Sequence, residues 1–222
     1  NGHAPGFDFG LAVREKRELV AALRQQNYAN VLEGLETVEF LEGRAKFVSP
    51  TAIEVNGERC EGKRFVIATG SSNRLLPVEG LAESGYLTNE TIMELETQPK
   101  SLIVIGGGPL GLEFAQMFAH FGAEVTVLEA MDRILPREEP EISQELQRVL
   151  EAEGIRFRTG VTLERISKVN GRTTVTLRKG APSKRGRSFE TRTEDIAADA
   201  LLLAAGIKAN TDDLGLEAAG VN

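Results

Sequence analysis

An α/β fold built on a parallel, helix-covered sheet is predicted by three observations in this 222-residue chain. Ser101–Ile105 (SLIVI) is a short apolar run rich in β-branched residues, too short for a helix and suited to a strand buried on both faces. It passes at once into Gly106-Gly107-Gly108-Pro109-Leu110-Gly111, a G-x-G-x-x-G turn. A stretch of helical spacing follows (Leu112, Phe114, Ala115, Phe118, Ala119 and Phe121) and is stopped by Gly122. Two more strand-like runs, Glu124–Leu128 and Ile155–Arg158, enclose a second helical stretch, about Glu141 to Glu153, so the order is β-α-β-α-β.

The glycine spacing carries chemistry as well as shape. In such a turn the first glycine permits the sharp change of direction, the second lets the backbone approach a pyrophosphate, and the third lets the helix pack closely on the strand. Pro109 stands at the first helical position, where its φ is already set and its missing N–H is no loss. Taken alone the motif is weak, because glycine-rich loops are often only turns; the strand before it, the capped helix after it, a second strand and a terminal acid supply the context. Glu129 is that acid, 23 residues past Gly106 and near the ~20 expected for a carboxylate that binds an adenosine ribose 2′-OH. The phosphates would be held by backbone N–H groups and the positive end of the helix dipole. A carboxylate accepts hydrogen bonds from a free 2′-OH and repels a 2′-phosphate, so NAD(H) is favoured over NADP(H). Arg133 bears on that preference, its plainer reading being a surface charge at the start of a loop.

Composition bounds the rest. With 41% hydrophobic residues the chain has material for a core in one large or two small domains. A formal net charge of −7 argues against a polyanionic partner, so no nucleic acid is expected. No apolar run approaches the ~18 residues of a membrane span, and no signal peptide is visible. The single Cys60 rules out an intramolecular disulfide and fits a reducing cytoplasm, the expected location. His3 and His120 have no companions at metal-ligand spacing, and no metal site is expected.

Ahead of the central unit, residues 1–10 are glycine-rich without periodicity, and an amphipathic helix is predicted from about Leu11 to Leu32. From Val38 the period changes to two: Val38–Leu41, Ala45–Val48 and Ile53–Val55 read as short strands, with Asn56-Gly57 a hairpin signal leading into Glu58–Glu61. Arg64–Ala68 (RFVIA) reads as a further buried strand. Ser71 to Gly85 is rich in turn residues, Thr88-Asn89-Glu90 opens a short helix, and Pro99 closes it. Behind the central unit, Val161–Val169 and Thr173–Leu177 flank a second hairpin signal, Asn170-Gly171. Residues 179–188 (KGAPSKRGRS) read as a solvated basic loop rather than a nucleic-acid patch. Ala200–Ala204 is a last buried strand. FVIATG at Phe65–Gly70 and LLLAAG at Leu201–Gly206 echo one another on either side of the central unit, which suggests that this unit is inserted into a second domain.

These motifs resemble one family, the flavin- and pyridine-nucleotide-dependent disulfide oxidoreductases. The residues that carry the resemblance are IATG at Ile67–Gly70, IGGGPLGLEFA at Ile105–Ala115, VTVLE at Val125–Glu129, DRILP at Asp132–Pro136 and the run from Leu201 to Val221. Within the family, the helix at Arg14–Leu32 and EGRAKFVSP at Glu42–Pro50 are most similar to mercuric reductases, while VTVLE, DRILP and Glu129 lean toward lipoamide dehydrogenases, the second resemblance. The resemblance implies a Rossmann-like NAD(P)-binding domain (residues 86–206) inserted in an incomplete FAD-binding domain (residues 1–85, with its return beginning at 207–222). It implies hydride transfer from NAD(P)H to FAD and onward to a dithiol, a disulfide or Hg(II). Candidate NAD(P)-binding residues are Gly106, Gly108, Pro109, Leu110, Gly111, Glu129, Ala130 and Gly206; Thr69 and Gly70 lie on the FAD side. Glu113 matches a family glutamate near the flavin and is the candidate catalytic residue, with an ordinary helix-start acid as its plainer reading.

Several family features have no counterpart here: an FAD-phosphate G-x-G-x-x-G, the redox-active C-x4-C, a second flavin motif and an interface domain. The chain is therefore expected to be an internal fragment whose partners are the nicotinamide dinucleotide and the missing FAD and interface domains. Alone it is expected to bind nucleotide weakly, to hold FAD poorly and to be inactive. A self-sufficient dinucleotide-binding module is the rival reading, and the two differ at the surface. A fragment exposes the apolar faces of RFVIA and of the Leu11–Leu32 helix, while a module covers them.

Overall fold

The structure, a computed structural model, describes residues 7–179 and 192–221. The basic 179–188 segment therefore lies almost wholly outside the described residues. The chain divides into two compact units, Asn1–Glu15 with Asn73–Gly206, and Lys16–Ser72 with Ile207–Asn222. Helix α1 (Phe9–Arg24) contributes residues to both.

The first unit is layered around a four-stranded parallel sheet of β5 (Ser101–Ile105), β6 (Glu124–Glu129), β7 (Arg156–Thr159) and β11 (Ala200–Leu203), in the order β11-β5-β6-β7. Alternation along each strand sends side chains to two cores. Leu102 and Val104 of β5, Val125 and Val127 of β6, and Leu202 of β11 join a cluster with Leu112, Ala115 and Phe118 of helix α3 (Pro109–His120) and Leu150 of helix α4 (Pro140–Ala152). Ile103, Ile105, Leu128, Leu201 and Leu203 instead meet Val161, Ile166, Val175, Leu177 and Ala198 of an antiparallel sheet. That sheet is made of β8 (Val161–Val169), β9 (Arg172–Lys179) and β10 (Arg192–Ala198), in the order β10-β9-β8. Helices thus cover one face of the parallel sheet and a β-layer the other. Pro109 and Pro140 each occupy a first helical turn, and Gly122 and Gly154, at φ +98° and +95°, turn the chain out of the helices. Before β5, the Thr88 side chain accepts the Thr91 N–H to open a single 3₁₀ turn, Thr91–Glu94. Phe7 stacks on Phe121 with ring centroids 4.7 Å apart, fastening the N-terminal stretch to the end of α3.

In the second unit a π-helical turn, Gln25–Ala29, joins α1 to a last turn, α2 (Asn30–Glu33). A meander of β1 (Ala45–Ser49), β2 (Ala52–Val55) and β3 (Glu58–Glu61) follows, with β4 (Ser71–Asn73) and β12 (Ile207–Ala209) as a short separate pair. Phe47, Ala52 and Val55 are its buried residues, Phe65 meets Phe47 edge to face, and the Phe47 N–H donates to Leu214 O at 2.7 Å.

Two sequence expectations are corrected. Val38–Leu41 forms no strand, and Arg64–Ala68 is neither paired in a ladder nor buried, Val66 being 92% exposed. An apolar run becomes a strand only where a neighbour takes up its N–H and C=O groups, and among the described residues no strand flanks either segment. Conversely β10 was not anticipated, its sequence RTEDIAA being too polar to signal a strand. Among the described residues no helix is long and apolar enough to cross a membrane.

Candidate dinucleotide site at the first glycine turn

The order of the parallel strands reverses between β5 and β11, and at their carboxyl ends sit Gly106 and the Ala204–Gly206 segment. In open α/β sheets, ligands bind in the crevice outside such a reversal. Gly106 lies at φ +116°, a region that disfavours side chains, and a Cβ there would stand 2.4 Å from Ala204 O. Its N–H donates to Leu128 O at 2.8 Å, so the turn begins still attached to the sheet. At Gly111 a Cβ would stand 2.1 Å from Gly106 O, so helix α3 can approach the strand end only without one. Gly108 differs from both. Its φ of −80° and ψ of 176° suit any residue, and a Cβ would meet nothing within 4 Å.

Pro109 and Leu110 are exposed in the first turn of α3, where backbone N–H groups have no intrahelical acceptor. Glu129, half-buried at the end of β6, uses both carboxylate oxygens. Oε2 accepts the Gly107 N–H at 2.7 Å and Oε1 the Met131 N–H at 2.8 Å, with further lone pairs remaining on each. Ala130 beside it is exposed, as is Gly206 at φ +111°. The Arg133 guanidinium donates to Pro136 O at 3.1 Å and lies 3.8 Å from Asp132, while its Nε is buried without a hydrogen-bond partner. The structure thus brings Gly106, Gly108, Pro109, Leu110, Gly111 and Glu129 together. Glu113 is exposed one turn into α3.

Thr69 and Gly70 lie in the second unit, where Asn210 clamps them: the Thr69 hydroxyl donates to Asn210 O (2.8 Å), Asn210 Nδ2 to Thr69 O (3.1 Å), and Asn210 N to Gly70 O (3.0 Å). His120 Nε2 and Gln116 Nε2 on α3 share Glu153 Oε2 at 3.1 and 2.9 Å. Among the described residues no group of three or more His, Cys, Asp or Glu side chains is placed to hold a metal ion. Sequence reasoning missed the backbone groups that brace the turn, those of Gly107, Met131 and Leu135, because any residue supplies them.

A parallel sheet with a glycine turn at its reversal, an acid at the end of the next strand and a β-layer in place of helices on its second face defines a Rossmann-like α/β protein. The chain belongs to the pyridine nucleotide-disulphide oxidoreductase family, whose model matches residues 7–222. It is 38% identical over 214 residues to a mercuric reductase of Lysinibacillus sphaericus, covering 96% of this chain and 37% of that protein. It is 37% identical over 195 residues to a dihydrolipoyl dehydrogenase of Thermus scotoductus, covering 87% of this chain and 40% of that protein. Among solved structures, the HOCl-induced flavoprotein disulfide reductase RclA of Escherichia coli superposes with a TM-score of 0.84 at 31% identity, over 97% of this chain and 47% of that one. The chain therefore spans less than half the length of these relatives. The family implies FAD and a pyridine nucleotide as cofactors.

Proposed function

We propose that this chain is the pyridine-nucleotide-binding part of an FAD-dependent oxidoreductase of the mercuric reductase type, with its first unit binding NAD(H). The observation that carries the reading is Gly108. Gly106 and Gly111 answer to the chain's own atoms, but neither backbone angle nor packing requires a glycine at 108. A pyrophosphate laid against the N-terminus of α3 is a group that would require it, and the free N–H groups there would receive it.

Preference for NAD(H) rests on Glu129 and Arg133 together. Two backbone N–H groups hold the carboxylate in place, so it cannot swing aside for a 2′-phosphate, while its remaining lone pairs can accept ribose hydroxyls. Arg133, in the loop after Glu129, gives one guanidinium nitrogen to Pro136 O, which draws its fork away from a 2′-phosphate. Ala130 and Gly206 would flank the nucleotide, and Thr69 and Gly70 would belong to the FAD side. Glu113 would serve the whole enzyme as its flavin-side carboxylate.

In the whole enzyme the cofactors supply hydride and electron transfer toward a dithiol, a disulfide or Hg(II); this chain's residues bind and orient the nucleotide. The share of each relative's length that is covered supports a part of a longer enzyme over a self-sufficient module. So does the exposure of Val66 and, on α1, of Leu19 at 60%. Identity to the dihydrolipoyl dehydrogenase of Thermus scotoductus supports a dihydrolipoamide enzyme as the second reading. The single cysteine fits a reducing cytoplasm.

The test is a parallel fluorescence titration of the chain with NADH and NADPH. NADH is expected to bind at least tenfold tighter, a difference of ~1.4 kcal/mol, and Gly108→Val to abolish binding. Failure of both nucleotides to bind up to millimolar concentration would overturn the reading.

A further inference from the structure

We infer that Ser143 and Leu135 are positioning residues for the dinucleotide, acting through the peptide group between Gly107 and Gly108; the inference rests on the nucleotide-binding role proposed for this turn. Leu135 sits at φ +43°, a region that a γ-branched side chain adopts only when its surroundings impose it. Both polar groups of its backbone show what imposes it. The Leu135 N–H donates to Gly107 O at 2.9 Å. Its carbonyl accepts the Glu138 N–H at 2.9 Å and the Ser143 hydroxyl at 3.2 Å. Ser143 is 1% exposed on α4, and Ile134, next to Leu135, is 0% exposed in the helix-side core, so both ends of this link are held by packing.

The consequence follows from the geometry of a trans peptide, in which the C=O and the following N–H point in opposite directions. Holding Gly107 O against Leu135 N aims the Gly108 N–H the other way. The preceding peptide is fixed too, because the Gly107 N–H is taken by Glu129 Oε2 and the Gly106 N–H by Leu128 O. The turn thus has successive peptide groups pinned by β6, Glu129 and Leu135, and the Leu135 pin is anchored on α4 by one buried hydroxyl. Strain at Leu135 is tolerated because it sets the direction of the amide that would face the phosphates.

The test compares NADH binding by the wild-type chain, Ser143→Ala and Ser143→Thr, with Ile166→Val as a control. Ile166 lies in the other core, against the antiparallel sheet, and its substitution lowers stability without touching the turn. Ser143→Ala is expected to weaken NADH binding at least threefold and to speed amide hydrogen exchange at Leu135 and Gly107. Ser143→Thr, which keeps the hydroxyl, should restore much of the affinity, and Ile166→Val should leave the dissociation constant unchanged. Wild-type affinity in Ser143→Ala, with the parent chain binding normally, would overturn the inference alone. A parent chain that binds no NADH would overturn the nucleotide-binding role and the inference with it.

Discussion

Gly111 lies beneath the Gly106 carbonyl so closely that a Cβ on Gly111 would stand 2.1 Å from that oxygen, whereas a Cβ on Gly108, three residues earlier, would touch nothing. The two glycines of one motif therefore answer to different requirements, and substitution should separate them. Gly111→Ala must push α3 off the end of β5, a backbone clash expected to cost about 3 kcal/mol or more. Gly108→Ala should leave stability within about 0.5 kcal/mol of wild type while weakening NADH binding. Chemical unfolding of both variants, alongside NADH titration, checks the split. Equal loss of stability in the two would contradict it.

Glu129 braces the glycine turn and, in the role proposed for it, also accepts the ribose hydroxyls; Glu129→Gln, its amide isostere, should show both. The amide side chain retains one acceptor oxygen and presents an NH₂ to the other backbone N–H, leaving either Gly107 N–H or Met131 N–H without its carboxylate partner. Hydrogen bonds to charged groups are worth about 1.5–3 kcal/mol, so the substitution is expected to weaken NADH binding roughly tenfold. NADPH binding should change less, because the lost brace is offset by lost repulsion. The measurement is the ratio of the two dissociation constants, which should move toward one.

How much of this was legible beforehand depends on whether a feature is a property of local residues or of distant backbone. The strand, glycine turn and capped helix from Ser101 to Gly122 could be read because each step needs a particular residue type. The same holds for Asn56-Gly57 and Asn170-Gly171, where both residues of each turn have positive φ, as a type I′ hairpin demands. RFVIA misled because an apolar run predicts burial only if something covers it. The strand β10 was hidden because pairing with β9, together with the forked contact of Arg158 with Glu194, holds a polar segment in the sheet. The Gly107 to Leu135 link was invisible for a different reason: it joins two backbone groups, and any residue supplies those.

Gly80 shows how a turn-rich passage can carry structural weight. It sits at φ +75°, and a Cβ would stand 1.9 Å from Ile166 O, while the Ile166 N–H donates to Glu79 O at 2.8 Å. Residues 79–81 thus lie along β8 with Leu81, 1% exposed, in the core behind. Gly80→Ala is both clashing and conformationally strained, and a loss of at least ~3 kcal/mol is expected. Unfolding monitored by circular dichroism should show it, whereas Gly85→Ala, at φ +71° but with only the Lys168 side-chain end 3.9 Å away, should lose roughly 1 kcal/mol from backbone strain alone.

The pair Glu145 and Arg148 on α4 offers a pH test with a defined sign. Arg148 donates to both carboxylate oxygens, at 2.6 and 2.9 Å. These hydrogen bonds, and then the guanidinium charge, hold the Glu145 carboxyl below its ordinary value of 4.5. A depressed carboxylate contributes stability that is present above the unfolded value and is lost as pH falls through the folded one. The window therefore lies below pH 4.5, and near neutrality the pair responds to salt rather than to pH. Both side chains are well exposed, at 69% and 63%, so the contribution is screened and small. Titration of the Glu145 side-chain carboxyl by NMR should give a midpoint below 4.5 in the wild-type chain and a return to the ordinary value in Arg148→Gln. A midpoint that does not move on removing the guanidinium would show that the contact is not formed in solution.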